Sequence, residues 1–465
     1  MILIFNLLLN FYFIYFLIGI LVNQYYSLKR FFKVLKDILI KNIDLILLSL
    51  FINISIVSSI YYIYPLKLVL LFIFIVKNHS LKLKFTRRNI FLLVLTSILS
   101  LFCLPSILIG SIGSLLIAYF LLIPLEYFIK LRYISLAKAK LKRIDPLIIG
   151  ISGSYGKTSF KYILSSVLST KYNISFPSGN INTPLGIVKY INNSLEGNTE
   201  LLVLELGIDE VRGMEKFKKI FSLDIAILTT IGENHIVNFK SLDNTLKAKY
   251  KIKELLKKEG KLFVNNDDKY LEKLNEEKFS KHNVNKYPLS IKGTKIKYNK
   301  SSFYIPLYGE YVYSYIDGAI KIGEFLGLNK DLIEIGLRKV KSVSRRMEVK
   351  KFSRGYLIDN SYNINKESAK VSIELLDKLN GNNVVIIGGL IEQGKYYSSN
   401  NQEIQKLLVN HSVIFIGESS HPLIDNHQFK KLYIVKHINE AYKLLEEYKF
   451  DNVLILAKGE DIYLK

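Results

Sequence analysis

The stretch GISGSYGKTSFKY, Gly150 to Tyr162, decides the fold of the chain that follows it. The apolar run LIIGIS leads into this stretch, and KTSFKYILSSVLS continues it with apolar residues at the spacing of one helix face. A glycine-rich turn between a buried strand and a helix directs backbone N–H groups at phosphate oxygens. We therefore predict a nucleotide-binding loop whose phosphate contacts come from Gly153, Gly156, Lys157, Thr158 and Ser159.

The spacing of this loop departs from G-x-x-x-x-G-K-[ST], because Ile151 occupies the first glycine position. Lys157 is placed to reach the outer phosphates and Thr158 to bind Mg²⁺. A chance match in a loop is the alternative. The strand before the loop and the helix after it favour nucleotide binding.

Apolar runs fill the part of the chain before this loop, at residues 2–22, 44–64, 65–76, 90–108 and 111–129. The first run is long enough to cross a bilayer as a helix. It lacks the basic n-region and the small-residue cleavage site of a signal peptide. We therefore predict an α-helical transmembrane region at residues 1–130, with about five helices.

Basic residues follow the first, third and fifth runs, and they set the predicted orientation. Short loops rich in Lys and Arg stay on the cytoplasmic side of a membrane. The predicted location is therefore the cytoplasmic membrane, as a multi-pass protein with a basic linker at 131–146 and catalytic domains in the cytoplasm. The third run is short, so four crossings with a re-entrant segment remain an alternative.

Composition limits the classes of partner. The chain has 64 Lys and Arg against 40 Asp and Glu, a formal charge of +24, yet it contains no arginine-rich tract or nucleic-acid module. We expect a lipid bilayer as a partner and no nucleic acid. The single cysteine, Cys103, excludes an internal disulfide framework and a thiolate metal site.

Later segments extend the pattern that the phosphate loop begins. The apolar run LLVLELG carries Glu205 at its end, where an acidic metal ligand lies opposite a phosphate loop. The segments SGNINTPLGI, GENHI, LFVNNDD and DNSYNIN follow in the same order as motifs of the Mur ligases, the ATP-dependent amide-forming enzymes of peptidoglycan synthesis. The chain resembles this family over most of residues 147–465, and most closely the branch that adds D-alanyl-D-alanine.

The resemblance implies a multi-domain α/β architecture after the membrane region. A P-loop central domain is expected at 147–342 and a smaller, Rossmann-like C-terminal domain at 343–465. The apolar runs VVIIGG, SVIFIG, LYIV and VLILAKG alternate with helical patterns and independently predict a doubly wound unit in the second range.

The resemblance also implies the site residues and cofactors, which are ATP and two Mg²⁺ ions. The metal ligands implied are Thr158, Glu205, His235 and Lys249, the last after carbamylation. The catalytic residues implied are Lys157, His235, Lys249 and Arg346, and further nucleotide contacts are Asn182, Asn265, Asp359 and Arg346. Substrate contacts implied are Asn180, Tyr362, Asn363, Asn365 and Lys458. From the residues alone, a loop histidine such as His235 is more often a surface residue than a ligand, and Lys249 fits a solvated lysine among Lys247, Lys251 and Lys253.

The predicted function is a membrane-anchored ligase that joins a peptide or muropeptide carboxylate, soluble or lipid-linked, to an amino acid or dipeptide such as D-alanyl-D-alanine. The chain departs from the family at Tyr311, Tyr315 and Asn360, which stand for His, Asn and Asp, and it lacks the uridine-binding N-terminal domain. The alternatives are a poly-γ-glutamate-type synthase, a noncatalytic nucleotide-binding scaffold and a transport ATPase.

Overall fold

The structure, a computed structural model, describes residues 14–22, 28, 31–32, 34–35, 86–101, 107–362, 364–390, 396–417, 421–424 and 429–457. Its contacts divide the chain into two compact units, Met1–Arg132 and Tyr133–Lys465. The predicted transmembrane runs at 44–64 and 65–76 lie outside the described residues.

The first unit is helical where it is described. Residues 14–22 are helical, α1 is Arg87–Leu101, and α2 begins at Ile107 and ends at Ile144 in the second unit. Leu17, Leu92 and Leu115 belong to one buried apolar cluster of this unit. In the same unit, Nε of Arg88 on α1 lies 2.7 Å from Oε1 of Glu126 on α2.

Within the described residues, one helix is long and apolar enough to cross a membrane, Ile112–Ile144. Large apolar side chains on it are exposed, including Phe120 at 57% and Phe128 at 67%. One such helix does not support the multi-pass arrangement that hydropathy alone predicted. The predicted basic linker at 131–146 is helical up to Ile144.

The phosphate-loop sequence lies in a six-stranded sheet with the order β2-β3-β1-β4-β5-β6, and all the neighbouring strands are parallel. The strands are β1 Leu147–Ser152, β2 Ile174–Ser175, β3 Leu201–Glu205, β4 Leu223–Leu228, β5 Leu256–Asn265 and β6 Glu277–Phe279. The helices are α3 Lys157–Leu168, α4 Pro184–Ser194, α5 Gly213–Lys218, α6 Ile236–Phe239, α7 Leu242–Tyr250, α8 Tyr311–Phe325 and α9 Lys330–Arg338. A hairpin of β7 Thr294–Tyr298 and β8 Ser301–Ile305 completes this part.

This sheet is buried on both faces, as parallel sheets are. Ile149 and Ile151 of β1 pack with α3, α8 and α9 on one face. Ile148 and Leu223 pack on the other face with α4 and with Ala137 and Leu141 from the end of α2. The predicted strand and helix around the phosphate loop are therefore confirmed.

The C-terminal part forms a second six-stranded sheet with the order β13-β12-β11-β14-β10-β9. Its strands are β9 Glu348–Lys351, β10 Tyr356–Asp359, β11 Asn383–Ile387, β12 Ser412–Ile416, β13 Lys431–Val435 and β14 Asn452–Leu456, and its helices are α10 Lys366–Asp377, α11 Tyr397–Leu407 and α12 Ile438–Tyr448. Among the described strands of this sheet, only β9, at one edge, is antiparallel to its neighbour. The predicted doubly wound unit is confirmed.

Candidate active site

The site lies where the chain reverses its direction of winding across the first sheet. Strand β1 is flanked by β3 on one side and β4 on the other, so the loops after these three strands leave the same edge. Ligands of doubly wound sheets bind at such a switch point. The topology therefore brings together the phosphate loop, Glu205 and the loop that contains His235.

The last residue of the phosphate loop, Gly156, has to be a glycine. Gly156 has φ of 80° and precedes the first residue of α3. A Cβ atom here would overlap the hydroxyl of Tyr315, whose ring contacts Phe160. No side chain caps the first turn of α3, so its N–H groups remain free to bind an anion.

Two lysines converge on one carbonyl of this loop. Nζ of Lys157 donates to the oxygen of Gly153 at 2.7 Å, and Nζ of Lys249 donates to the same oxygen at 3.2 Å. Burial lowers the pKa of Lys157 to about 8. The Glu205 carboxylate raises this pKa, and the Arg346 cation lowers it, each by less than burial does. Burial, and then Lys157, lower the pKa of Lys249 well below its usual value. Two amines therefore face the space where phosphates would lie. At neutral pH Lys157 keeps most of its charge, whereas the ammonium form of Lys249 is disfavoured.

Glu205 is the buried anion of the site. The hydroxyl of Thr158 donates to its Oε2 at 3.1 Å, and Nζ of Lys161 lies 2.9 Å from its Oε1. Oε1 is buried, and its contact with Lys161 is that of an ion pair without the alignment of a regular hydrogen bond. A carboxylate oxygen with unused lone pairs beside a threonine hydroxyl fits Mg²⁺, which binds a few protein oxygens and fills its shell with water and phosphate.

No cluster of three or more His, Cys, Asp or Glu side chains that could hold a metal occurs among the residues that the structure describes. A divalent ion here would thus depend on phosphate oxygens as well as on Glu205 and Thr158. His235 lies at the N-terminus of α6 with φ of 59°, at the wall of the same cavity.

These groups line a cavity of about 750 Å³. Eleven of the predicted site residues are in its wall: Gly156, Lys157, Thr158, Asn180, Asn182, Glu205, His235, Lys249, Arg346, Tyr362 and Asn365. The last three come from the C-terminal part of the chain, so segments that connect the strands of both sheets line the cavity. Residues far apart in sequence therefore meet around one volume large enough for a nucleotide.

Arg346 is held in place by its neighbours. Its guanidinium lies 4.5 Å from the ring centroid of Tyr362, a cation–π contact. Arg345 and Met347, on either side, have φ of 60° and 55°. Such left-handed conformations cost about 1–3 kcal/mol each in non-glycine residues and concentrate at functional sites.

Four predicted nucleotide contacts are not in the cavity wall. Gly153, in the loop, and Ser159, in the first turn of α3, are buried. Asn265 and Asp359 are buried and accept local backbone hydrogen bonds, from the N–H groups of Asp267 at 3.1 Å and Ser361 at 3.1 Å. Predicted substrate contacts Asn363 and Lys458 lie outside the described residues.

Sequence reasoning missed two cations of the site. Arg345 also lines the cavity, and its Nε donates to Ser361 at 2.9 Å. Lys161 is fully buried against Glu205. The available signal was a lysine within the apolar face of α3, four residues after Lys157.

A model of the Mur ligase middle domain matches residues 151–390, a little more than half of the chain. The UDP-N-acetylmuramoyl-tripeptide–D-alanyl-D-alanine ligase of Bacillus subtilis is 29% identical over 273 residues, 56% of this chain and 60% of the relative. The enzyme of the same name from Borreliella burgdorferi is 30% identical over 67% of this chain and 71% of its own length. The chain thus spans about 60% of the B. subtilis relative.

Solved structures agree on the fold. MurF from Thermotoga maritima in complex with ADP superimposes with a TM-score of 0.61 and 23% identity, covering 71% of this chain and 80% of its own. A pseudomurein peptide ligase type C from Methanothermus fervidus has a TM-score of 0.52 and 18% identity, covering 68% and 76% of the two chains.

The predicted multi-pass membrane location is wrong. The described residues contain a single helix of sufficient length and apolarity, where about five crossings were predicted. Long apolar runs meet the length requirement for a transmembrane helix, but length and composition alone do not establish that a run is inserted.

Proposed function

Because the chain belongs to the Mur ligase family, whose members are ATP-dependent ligases that form amide bonds, we propose that it joins a peptide carboxylate to an amine at the expense of ATP. Mur ligases use ATP and Mg²⁺. The observation that carries the proposal is the convergence of Lys157, Glu205, Lys249 and Arg346 on one cavity from four separate segments. We propose 147–342 as the ATP-binding domain and 343–465 as the C-terminal domain.

Amide formation requires activation of the carboxylate, because hydroxide is a poor leaving group. In the proposed reaction, a carboxylate oxygen attacks the γ-phosphorus of ATP, and the bond to ADP breaks. The amine nitrogen then attacks the acyl carbon, phosphate leaves, and the nitrogen loses a proton. This sequence converts ATP, acid and amine into ADP, phosphate and amide.

The protein supplies positioning and positive charge to this reaction, as in other phosphoryl transfers. Lys157 and the uncapped N–H groups of α3 would hold the β- and γ-phosphates. Arg346, a permanent planar cation, would neutralise charge on the transferring group. Bound Mg²⁺ would add further charge neutralisation, with Thr158 and Glu205 as ligands.

Lys249 is proposed to be carbamylated. Its ammonium form is disfavoured by burial and by Lys157, so the neutral amine is available to attack CO₂. The product would be an anion beside Gly153 and near His235, which would complete the second metal site. We propose both residues as ligands at that position.

The acceptor and donor subsites are proposed from the cavity wall. Asn180 and Asn182 lie in the loop before α4, and Tyr362 and Asn365 lie in the loop before α10. We propose that a muropeptide carboxylate and D-alanyl-D-alanine bind between these two loops. The support is the similarity to enzymes that are named for this reaction.

The test uses full-length protein with ATP, Mg²⁺, UDP-linked muramoyl tripeptide or its lipid-linked form, and D-alanyl-D-alanine. Phosphate release should require both the acid and the amine, and mass spectrometry should detect the new amide. Amide formation with glutamate alone would favour a poly-γ-glutamate-type synthase. Phosphate release without acid or amine would indicate a transport ATPase, and none with any pair would indicate a scaffold.

Nucleotide binding should take up protons at mildly alkaline pH. With a pKa of about 8, free Lys157 loses its charge as pH rises through 8, and phosphate restores that charge by raising the pKa. Calorimetry of ADP binding in buffers of different ionisation enthalpy should give about half a proton taken up at pH 8 and nearly one at pH 9. ADP affinity should fall over the same range. Lys157→Met should lose this uptake, and equal uptake in the variant would contradict the assignment.

Helix α2 supports a separate, narrower proposal, that its exposed apolar side chains contact lipid. Only 22% of its most apolar 18-residue segment is buried, whereas a core helix is mostly buried. The helix also begins far from the N-terminus, whereas a signal sequence lies near it. Full-length protein should float with vesicles that contain anionic phospholipid, because Lys138, Lys140 and Lys142 follow the apolar stretch. Phe120→Ser/Phe128→Ser should float less, and recovery of both proteins in the lipid-free fraction would contradict the contact.

A further inference from the structure

Lys161 joins two separate segments of the chain from inside the protein. It lies one turn after Lys157 on α3, and its side chain is 0% exposed. Its Nζ donates to the carbonyls of Pro177 at 2.7 Å and Gly179 at 2.8 Å. On another side the same nitrogen lies 2.9 Å from Oε1 of Glu205.

A buried ammonium in this position needs a reason. Its neighbours on α3, Phe160, Ile163 and Leu164, are apolar and fully buried. An apolar side chain at 161 would continue that core without the desolvation penalty that a charge carries. The contacts of Lys161, rather than packing, therefore explain why a lysine stands there.

The segment that Lys161 holds has little packing of its own. Residues 177–183 connect β2 to α4, and Ser178, Gly179, Asn180 and Ile181 are exposed. Asn180 and Asn182 of this segment line the cavity. One other anchor is a backbone bond, from the N–H of Gly207 to the oxygen of Asn182 at 2.8 Å.

We propose that Lys161 is a positioning residue that fixes the 177–183 loop and the Glu205 carboxylate relative to each other. The cation thereby links the loop that faces the carboxylate substrate to the residue that faces the nucleotide. This inference rests on the proposed function for what each side binds. The positioning itself is a property of the ligand-free chain, and it can be measured without any reaction.

The first test is limited proteolysis of full-length, ligand-free protein with thermolysin, which cleaves before apolar residues such as exposed Ile181. Lys161→Met should be cut before Ile181 at least about 10-fold faster than the unsubstituted protein, because the loop opens locally more often. The amide of Gly207 should also exchange its hydrogen faster. The matched control is Lys171→Met, which removes an exposed lysine that bonds the carbonyls of Leu326 at 3.1 Å and Gly327 at 2.9 Å. It should be cut at the original rate.

A second variant covers the case in which Lys161→Met does not fold. Lys161→Met/Glu205→Gln removes both charges of the buried pair, and it should fold while keeping the fast cleavage before Ile181. Cleavage within about twofold of the original rate in a folded variant would overturn the proposal.

A kinetic readout separates positioning from simple structural support. In Lys161→Met, KM for the carboxylate substrate should rise about 10-fold, the loss expected for hydrogen bonds from a charged group, with a smaller change in kcat. Fast cleavage in a protein whose unsubstituted form makes no amide would refute the proposed function and leave the positioning role standing. An unchanged KM together with unchanged cleavage would refute the positioning role alone.

Discussion

Replacing Lys157 by methionine is expected to lower the rate of amide formation by about 10²- to 10³-fold, as removal of one electrostatic stabiliser of a transition state does elsewhere. The ammonium lies 2.7 Å from the carbonyl oxygen of Gly153, at the start of α3 and in the wall of the cavity. Methionine keeps the length of the side chain and removes its charge. The measurement is kcat for phosphate release with both substrates saturating.

The control for this variant is Lys247→Met. Lys247 is exposed on α7, two residues before Lys249, and its loss removes one positive charge without changing the cavity wall. This control should retain its kcat and thermal stability. A Lys157→Met protein that is folded and retains more than about a tenth of the original kcat would contradict the assigned role.

Replacing Glu205 by glutamine should weaken both folding and magnesium use. It leaves the ammonium of Lys161 buried without its anion, and breaking one side of a buried pair costs about 3–5 kcal/mol of unfolding free energy. The Mg²⁺ concentration for half-maximal activity should rise by at least about 10-fold, since even outer partners of metal ligands contribute 10- to 100-fold to affinity. Denaturant unfolding and a magnesium titration measure the two effects.

The double variant Lys161→Met/Glu205→Gln separates these effects. Removing both charges should restore most of the unfolding free energy, because no unpaired charge remains buried. Magnesium use should not recover with it. If the double variant regains normal magnesium dependence, Glu205 acts through stability and is not a ligand.

Much of the fold could be predicted because local signals and topology agree. LIIGIS is largely apolar, as expected for a strand buried on both faces. Gly156 is required by its φ of 80° and by the closeness of Tyr315. Parallel strands then place their carboxyl ends at one edge. This rule predicts from the sequence alone that Glu205 lies opposite Lys157.

Other features depend on tertiary contacts that a sequence does not display. Asn265 and Asp359 end apolar strands, and the sequence does not show that their side chains accept local backbone hydrogen bonds. Lys161 stands out in sequence only as a lysine on the apolar face of α3. Its partners, Glu205 and the carbonyls of Pro177 and Gly179, are brought to it by the fold. The left-handed backbone conformation at Arg345 and Met347 likewise could not be predicted, because neither residue is a glycine.

The multi-pass membrane prediction failed for a physical reason. Apolar runs of about 20 residues satisfy the bilayer's length requirement, but the same composition suits helices that pack on one another. Leu17, Leu92 and Leu115 are buried together in the first unit. Hydropathy does not show which apolar side chains are buried in such packing and which, like Phe128, are exposed.

The most direct test of the central claim follows oxygen from acid to phosphate. The carboxylate of the UDP-linked muramoyl tripeptide is labelled with ¹⁸O and incubated with full-length protein, ATP, Mg²⁺ and D-alanyl-D-alanine. Attack of the carboxylate on the γ-phosphorus predicts one ¹⁸O atom in each inorganic phosphate released, with ADP as the other product. Unlabelled phosphate, or label recovered in AMP, would contradict activation of the acid at the γ-phosphate held by Lys157.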